Sequence, residues 1–272
     1  MFYVKIKSEY KLFKNQAERT SEMRNKIIIL VAFFALFYAK NIFAESSFAK
    51  ATEDKPIGDF FDGKKITYNV KMDILSVDYN SDINIEFKKT NTDRYKITLN
   101  VKRKKISYQV VAKGFIKNNQ LYPMVLIEDT EVLSLEYHTT HWYNYHMDNS
   151  VTVQAESTSP ATGYSSKEWT FKNKKPMDIL SGVFEQIYNL HYGYKLEVFD
   201  MVRSDYVLWG VEFKKEKCGN DTCIKFKDEK QEEDFNLPGF TAKLNKDGWP
   251  VLITVDKTWI IKDIEMTLVS SE

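Results

Sequence analysis

From Val77 to Phe87 the chain alternates strictly. Val77, Tyr79, Ser81, Ile83, Ile85 and Phe87 stand at odd positions, with Asp78, Asn80, Asp82, Asn84 and Glu86 between them. A period of two with one wet and one dry face is the signature of an antiparallel strand lying against a core. Ile66, Tyr68, Val70 and Met72 repeat it, as do Tyr95, Ile97, Leu99 and Val101. Further strands are expected over 107–116, 121–128, 132–145, 151–156, 167–171, 195–199, 207–216, 224–227, 241–245, 251–255 and 259–268. Asn118-Asn119, Asp129-Thr130 and Asp247-Gly248 offer the backbone conformations that hairpin turns demand. Short strands at hairpin spacing imply a meander rather than parallel βαβ units.

One segment breaks the rhythm. Between Pro176 and Tyr192, Ile179, Leu180, Val183, Phe184, Ile187 and Leu190 recur at helical spacing; Pro176 or Asp178 can open a helix and Gly193 can close it. Burying those six side chains is worth about 10 kcal/mol gross, so the stripe must pack on something. The concave side of a curved sheet is the most economical place. The expected fold is mostly β: a single curved antiparallel sheet or half-open barrel, with one amphipathic α-helix at about 177–192 packed on it.

The pattern is different before residue 45. Arg24 and Lys26 precede an unbroken apolar run from Ile27 to Ala39, and Ile42-Phe43-Ala44 ends in a small residue at a cleavage position. The run is shorter than the roughly 20 residues a membrane-spanning helix needs. The chain therefore divides into an extension or mis-assigned start (1–22), a signal peptide (23–44), a linker (45–62) and a β-rich domain (63–272). Ala49-Lys50-Ala51 is a second candidate cleavage point. The expected location is periplasmic or secreted after cleavage near Ala44, and with no cysteine at that point the protein is not expected to be a lipoprotein.

Removing 1–44 takes eight Lys/Arg and three Asp/Glu from totals of 39 and 38, leaving a net charge of about −4. Such a surface does not suit nucleic-acid binding, which needs a basic footprint. The only basic run left, Lys102-Arg103-Lys104-Lys105, falls between two strands; it reads as a solvated turn, with contact to anionic headgroups as the alternative. Glu232-Glu233-Asp234 reads as a wet loop.

Both cysteines lie in Cys218-Gly219-Asn220-Asp221-Thr222-Cys223. In an exported protein this spacing across turn residues reads as a local disulfide stapling a hairpin, not a redox centre or a zinc site.

Three of the four histidines fall in Tyr137-His138-Thr139-Thr140-His141-Trp142-Tyr143-Asn144-Tyr145-His146. On a strand, His138 and His146 share a face about 26 Å apart at 3.3 Å per residue, while His141 points the other way. Convergence on one metal ion is thus not expected. The same strand offers another reading: Tyr137, His141, Tyr143 and Tyr145 line one side of a ligand groove, with apolar bodies and hydrogen-bonding tips. An ordinary sheet face is the alternative. No nucleophile elbow, phosphate-binding loop, dinucleotide glycine pattern or paired-histidine zinc motif occurs. A non-enzymatic role without a cofactor is expected.

Three short motifs resemble exported bacterial proteins of the domain of unknown function 3108 family. Gly63-Lys64-Lys65-Ile66-Thr67-Tyr68-Asn69-Val70 is similar to the family's opening strand, Asp178-Ile179-Leu180-Ser181 to the start of its mid-chain helix, and Asp247-Gly248-Trp249-Pro250-Val251 to its late turn and strand. Where the family's first hairpin has glycines, this chain has Asp73-Ile74-Leu75-Ser76. The resemblance implies a fold and a Gram-negative envelope location but no agreed activity and no catalytic residue. Two functions follow as expectations: binding of a lipid or other apolar or amphipathic molecule in the concave sheet, or structural and assembly work through contacts with another envelope protein.

Overall fold

The computed structural model describes residues 55–74, 77–103, 106–132, 134–160, 163–203, 206–219, 221–228, 240–244, 250–255 and 261–271. The expected signal peptide with both cleavage points, the acidic run at 232–234 and the turn at Asp247-Gly248 lie outside the described residues.

The described chain is one antiparallel sheet wrapped around a helix. A short helix α1 (Ile57–Phe61) leads into a meander of eight strands. These are β1 (Lys65–Ile74), β2 (Val77–Asn91), β3 (Arg94–Arg103), β4 (Ile106–Lys117), β5 (Gln120–Val132), β6 (Leu135–Tyr145), β7 (Ser150–Ser159) and β8 (Gly163–Lys172). Helix α2 (Ile179–Tyr192) follows. The chain then returns through β9 (Phe199–Arg203), β10 (Tyr206–Cys218), β11 (Asp221–Asp228), β12 (Phe240–Leu244), β13 (Pro250–Val255) and β14 (Ile261–Ser271). Strand order runs β8 to β1 and then β14 to β9, so β1 and β14 pair in the middle while β8 and β9 form the edges.

Alternation sets which face turns inward. Ile66, Tyr68 and Val70 on β1, Ile83, Ile85 and Phe87 on β2, and Tyr95, Ile97 and Leu99 on β3 are all buried, whereas the residues between them are not. Asn118 and Asn119 adopt positive φ (51° and 58°), which makes the β4–β5 connection a two-residue hairpin turn. The sequence misplaces two features. Asp129 and Thr130 lie inside β5, and the turn into β6 comes later, at Ser134 with φ 68°. The ninth strand is at Phe199–Arg203 instead of 195–199.

Helix α2 begins and ends where its caps require. The Asp178 side chain accepts from Ser181 N, and Gly193 takes the left-handed conformation (φ 73°) that closes the helix. It is more deeply enclosed than an amphipathic stripe implies. Every residue from Ile179 to Asn189 is buried, polar ones included. The sheet covers one side; the other is covered partly by α1, where Phe61 meets Phe184 with ring centroids 4.9 Å apart and Phe60 meets Tyr188 at 5.7 Å. The end of segment 45–62 is thus packed structure, with Ile57 and Phe61 fully buried. Gly63 then turns the chain into β1 with φ 75°, which explains a glycine at that position.

The sheet does not close into a continuous ladder. After β8 the chain runs beside β9, bridging Met177 to Met201 in parallel, with Met177 N donating to Asp200 O and Val202 N to Met177 O. Lys174 Nζ reaches Asp200 Oδ2 (2.6 Å) and lies 5.4 Å from the Trp209 ring centre. Val202 packs with Val151, Val153 and Phe171 to complete a small second core. Away from this contact, residues 163–168 of β8 are exposed on both faces.

The β10–β11 hairpin carries the Cys218–Cys223 disulfide, with Cα atoms 5.8 Å apart. Replacing both cysteines by alanine is expected to cost about 2 kcal/mol, read as a lower urea midpoint that reducing agent reproduces in the parent protein. At Gly114, where the β4–β5 register shifts, an added Cβ would run into the Tyr122 carbonyl oxygen and the Tyr95 ring. Gly114→Ala is expected to destabilise by about 1–3 kcal/mol in the same assay.

Candidate functional site

On β6, Tyr137, His141, Tyr143 and Tyr145 form one row on the inner face. Tyr145 stands opposite Val151 of β7, Tyr143 opposite Val153 and His141 opposite Ala155, all buried partners. His141 is 0 % exposed and Tyr143 4 %. Tyr137, opposite Thr130 of β5, sits at the half-buried far end of the row. The sheet therefore gathers His141, Tyr143 and Tyr145 inside and leaves Tyr137 at the periphery. The other two imidazoles of this segment face outward: His138 Nδ1 meets Asp129 Oδ1 at 2.6 Å, and His146 Nε2 meets Thr152 Oγ1 at 3.0 Å. Among the described residues no three His, Cys, Asp or Glu side chains are grouped to hold a metal ion.

The chemistry beside this row comes from residues that pattern reading treats as core or as a cap. Asp178 is fully buried at the start of α2, where Oδ1 accepts from Ser181 N (2.8 Å) and Oδ2 from Ser181 Oγ (2.6 Å). Ser181 Oγ is also 2.7 Å from Tyr95 Oη. A hydrogen-bonded chain thus runs from β3 into the helix cap. On β5 the Glu128 carboxylate accepts from Tyr108 Oη at 3.3 Å, and it too is buried. One turn along α2, Glu185 accepts from Leu121 N and pairs with Lys175 Nζ, both at 2.6 Å.

Two hydroxyls of the β6 row lack partners among the described residues. The hydroxyl oxygens of Tyr143 and Tyr145 are buried with no hydrogen-bond partner among the described residues. Leaving a buried hydroxyl unpaired costs about 1–3 kcal/mol, so such groups mark places where a water or a ligand belongs. Burial pushes both phenols above their ordinary range, and Asp178 is the charge acting most strongly on each. Tyr95 is shifted the same way, again by burial first and by Asp178 second.

Asp178 itself is pushed up to about 6, chiefly by burial; its bonds to Ser181 only partly offset that cost, and Glu128 adds repulsion. Glu185 is also raised by burial, with Lys175 pulling the other way. Of the four buried carboxylates among the described residues, Glu185 pairs with Lys175 and Asp200 with Lys174, whereas the side-chain partners of Asp178 and Glu128 are the hydroxyls of Ser181 and Tyr108. What this arrangement can do is offer phenol donors, a carboxylate poised near neutrality and aromatic faces to something enclosed by the sheet.

Sequence reading found the row on β6 because alternation exposes it. It did not find Asp178, Ser181, Tyr95 or Glu128 as a group, since only the curl of the sheet brings β3, β5 and the cap of α2 together. The Asp-x-x-Ser capping pattern was visible; its burial was not.

No known family profile and no curated protein matches the chain in sequence. Among solved structures it is similar to a β-barrel-like protein of domain of unknown function DUF1849 from Brucella abortus, with a TM-score of 0.47 and 12 % identity over 78 % of this chain and 98 % of that one.

Because the folded Asp178 titrates near 6 rather than at its ordinary 3.8, the folded state holds its proton more tightly than the unfolded chain does. Its stabilising contribution is complete below the unfolded value and is lost as pH rises through about 6, a swing of about 3 kcal/mol. Asp178→Asn keeps a good capping side chain and removes the titration. The variant is expected to gain stability relative to the parent between pH 4 and pH 7.5. Parallel unfolding free energies across that range would contradict the assignment.

Proposed function

We propose that this protein is an exported, non-catalytic cell-envelope protein of the domain of unknown function 3108 type that holds a small amphipathic molecule inside its curved sheet. The observation that carries the reading is the pair of buried, unpartnered hydroxyls of Tyr143 and Tyr145 on the inner face. An apolar wall with a few convergent polar tips is the usual composition of a small-molecule site. Here Val151, Val153 and Phe171 supply the wall, while the two phenols supply the tips. The disulfide agrees with an oxidising compartment. The three motifs of the family resemblance agree with an envelope location, and two have physical roles in this fold: Gly63 makes the turn into β1, and Asp178-Ile179-Leu180-Ser181 caps α2.

A second reading, assembly through protein contacts, draws on β8, an edge strand of the described sheet whose residues 163–168 are exposed. An exposed strand edge is a template for a partner's strand. The interior reading is preferred because unsatisfied buried groups call for an occupant, whereas an exposed edge is satisfied by water.

The protein purified from the envelope fraction of its own host is expected to carry a bound small molecule in native mass spectrometry, released on denaturation and depleted in Tyr143→Phe/Tyr145→Phe. The same sample should begin near residue 45 or 52. A native mass equal to that of the bare polypeptide, with a stable protein partner recovered by crosslinking in cells, would favour the β8 edge instead.

A further inference from the structure

Strand register shows how the lining of the curled sheet changes from one side to the other. One inward-facing row runs through Ile66, Ile85, Leu99 and Val110 on β1 to β4 and continues through Glu128, Thr139, Ser157 and Ser165 on β5 to β8. Its apolar half is buried, whereas exposure rises along its polar half. Glu128 is 8 % exposed, Thr139 and Ser157 are half-buried, and Ser165 is open to solvent. In the row alongside, Thr130 stands opposite both Tyr108 and Tyr137. Tyr108 Oη donates to Glu128 Oε2 at 3.3 Å, and Ser157 Oγ lies 2.7 Å from Ser165 Oγ. A sheet face that merely meets water tends to carry charges, as the outer face of these same strands does with Asp129, Glu131, Glu136, Glu156 and Glu168. Apart from Glu128 and Lys167, the inner strip carries hydroxyls instead. Along β6 and β7 it leads through His141 and Ala155 to Tyr143 and Val153, about 13 Å from Thr139 and Ser157 at 3.3 Å per residue.

We propose that the in-register row of Glu128, Thr139, Ser157 and Ser165 binds the uncharged sugar head of an amphipathic molecule whose apolar part lies against Val151, Val153 and Phe171. This rests on the interior-binding reading above and specifies its ligand. A serine or threonine hydroxyl both donates and accepts, as each hydroxyl of a sugar does, so a row of them matches a polyhydroxylated head in either sense. The Glu128 carboxylate accepts from sugar hydroxyls through charge-assisted bonds. Tyr137, on the neighbouring row, offers the apolar body of its ring to the C–H side of the head. An anionic head would meet Glu128 as a like charge in the same row. A cationic head would find one carboxylate but leave the hydroxyls' lone pairs in competition with water, and Lys167 lies two residues from Ser165 on the same face. The step from hydroxyls to Val153 along one pair of strands suits a molecule that changes from polar to apolar over the same distance.

The test uses the purified protein and four probes of one chain length: hexyl β-D-glucoside, 1-hexanol, sodium hexanoate and hexylammonium chloride, titrated by calorimetry. The glucoside is expected to bind about tenfold more tightly than any of the others. Thr139→Val combined with Ser157→Ala removes two hydroxyls and little else; it should lower the glucoside affinity about tenfold and leave hexanol binding unchanged. Thr158→Ala, on the outer face of β7, should change neither. Another probe binding as tightly as the glucoside, or a double variant that keeps the parental glucoside affinity or loses both probes together, would overturn the sugar assignment and leave interior binding standing. Failure of all four probes would overturn it as well, and only an empty native mass spectrum besides would remove the amphipathic-ligand reading.

Discussion

An antiparallel sheet this wide twists and curls, and a curled sheet encloses volume that must be filled at the density of a protein interior. In a narrow barrel, inward side chains alone meet that requirement. Here the fourteen strands seen among the described residues enclose too much, and α2 fills the hollow. Everything that distinguishes the molecule follows from placing a helix there. Its backbone ends must be capped without water, its polar face must find partners inside, and the sheet must stay open enough to admit the chain on both sides of it.

Each of these demands has a specific answer in the side chains. Asp178 and Gly193 terminate the helix. Glu185 reaches both Lys175 and the amide of Leu121, and Gln186 Oε1 accepts from Glu197 N. Gly182 lets Phe199 approach so closely that a Cβ would sit 2.8 Å from its ring. The segment on either side of the helix forms the contact between the two sheet edges, through Met177 with Met201 and Lys174 with Asp200. Filling the hollow and drawing the edges together are thus one structural event.

The strands were legible because a half-buried antiparallel strand advertises its two faces every other residue, as Ile83 to Phe87 do. The helix was legible because Ile179 to Leu190 repeat at a different period. What could not be read was the second side of that helix. Ser181, Glu185 and Gln186 look like a solvent face, and only the curvature of the sheet and the return of α1 bury them. The turn at Asp129-Thr130 failed for a related reason: both residues favour turns in isolation, but the ladder to β4 pairs them with Gln109 and Tyr108. The β6 row was visible as aromatic alternation. Its neighbours Asp178 and Glu128 were not, since carboxylates so far apart in sequence carry no local sign of meeting.

The pairing of β1 with β14 has a consequence for how the chain is made. Eight consecutive hairpin strands can zip together as they emerge, each waiting only for its neighbour. The free side of β1, from Ile66 to Ile74, has no complement until the last strand arrives with Ile261 to Ser271. Through most of synthesis that edge is a sticky, apolar-backed template, so the interval before β14 arrives is when this chain is most exposed to wrong partners.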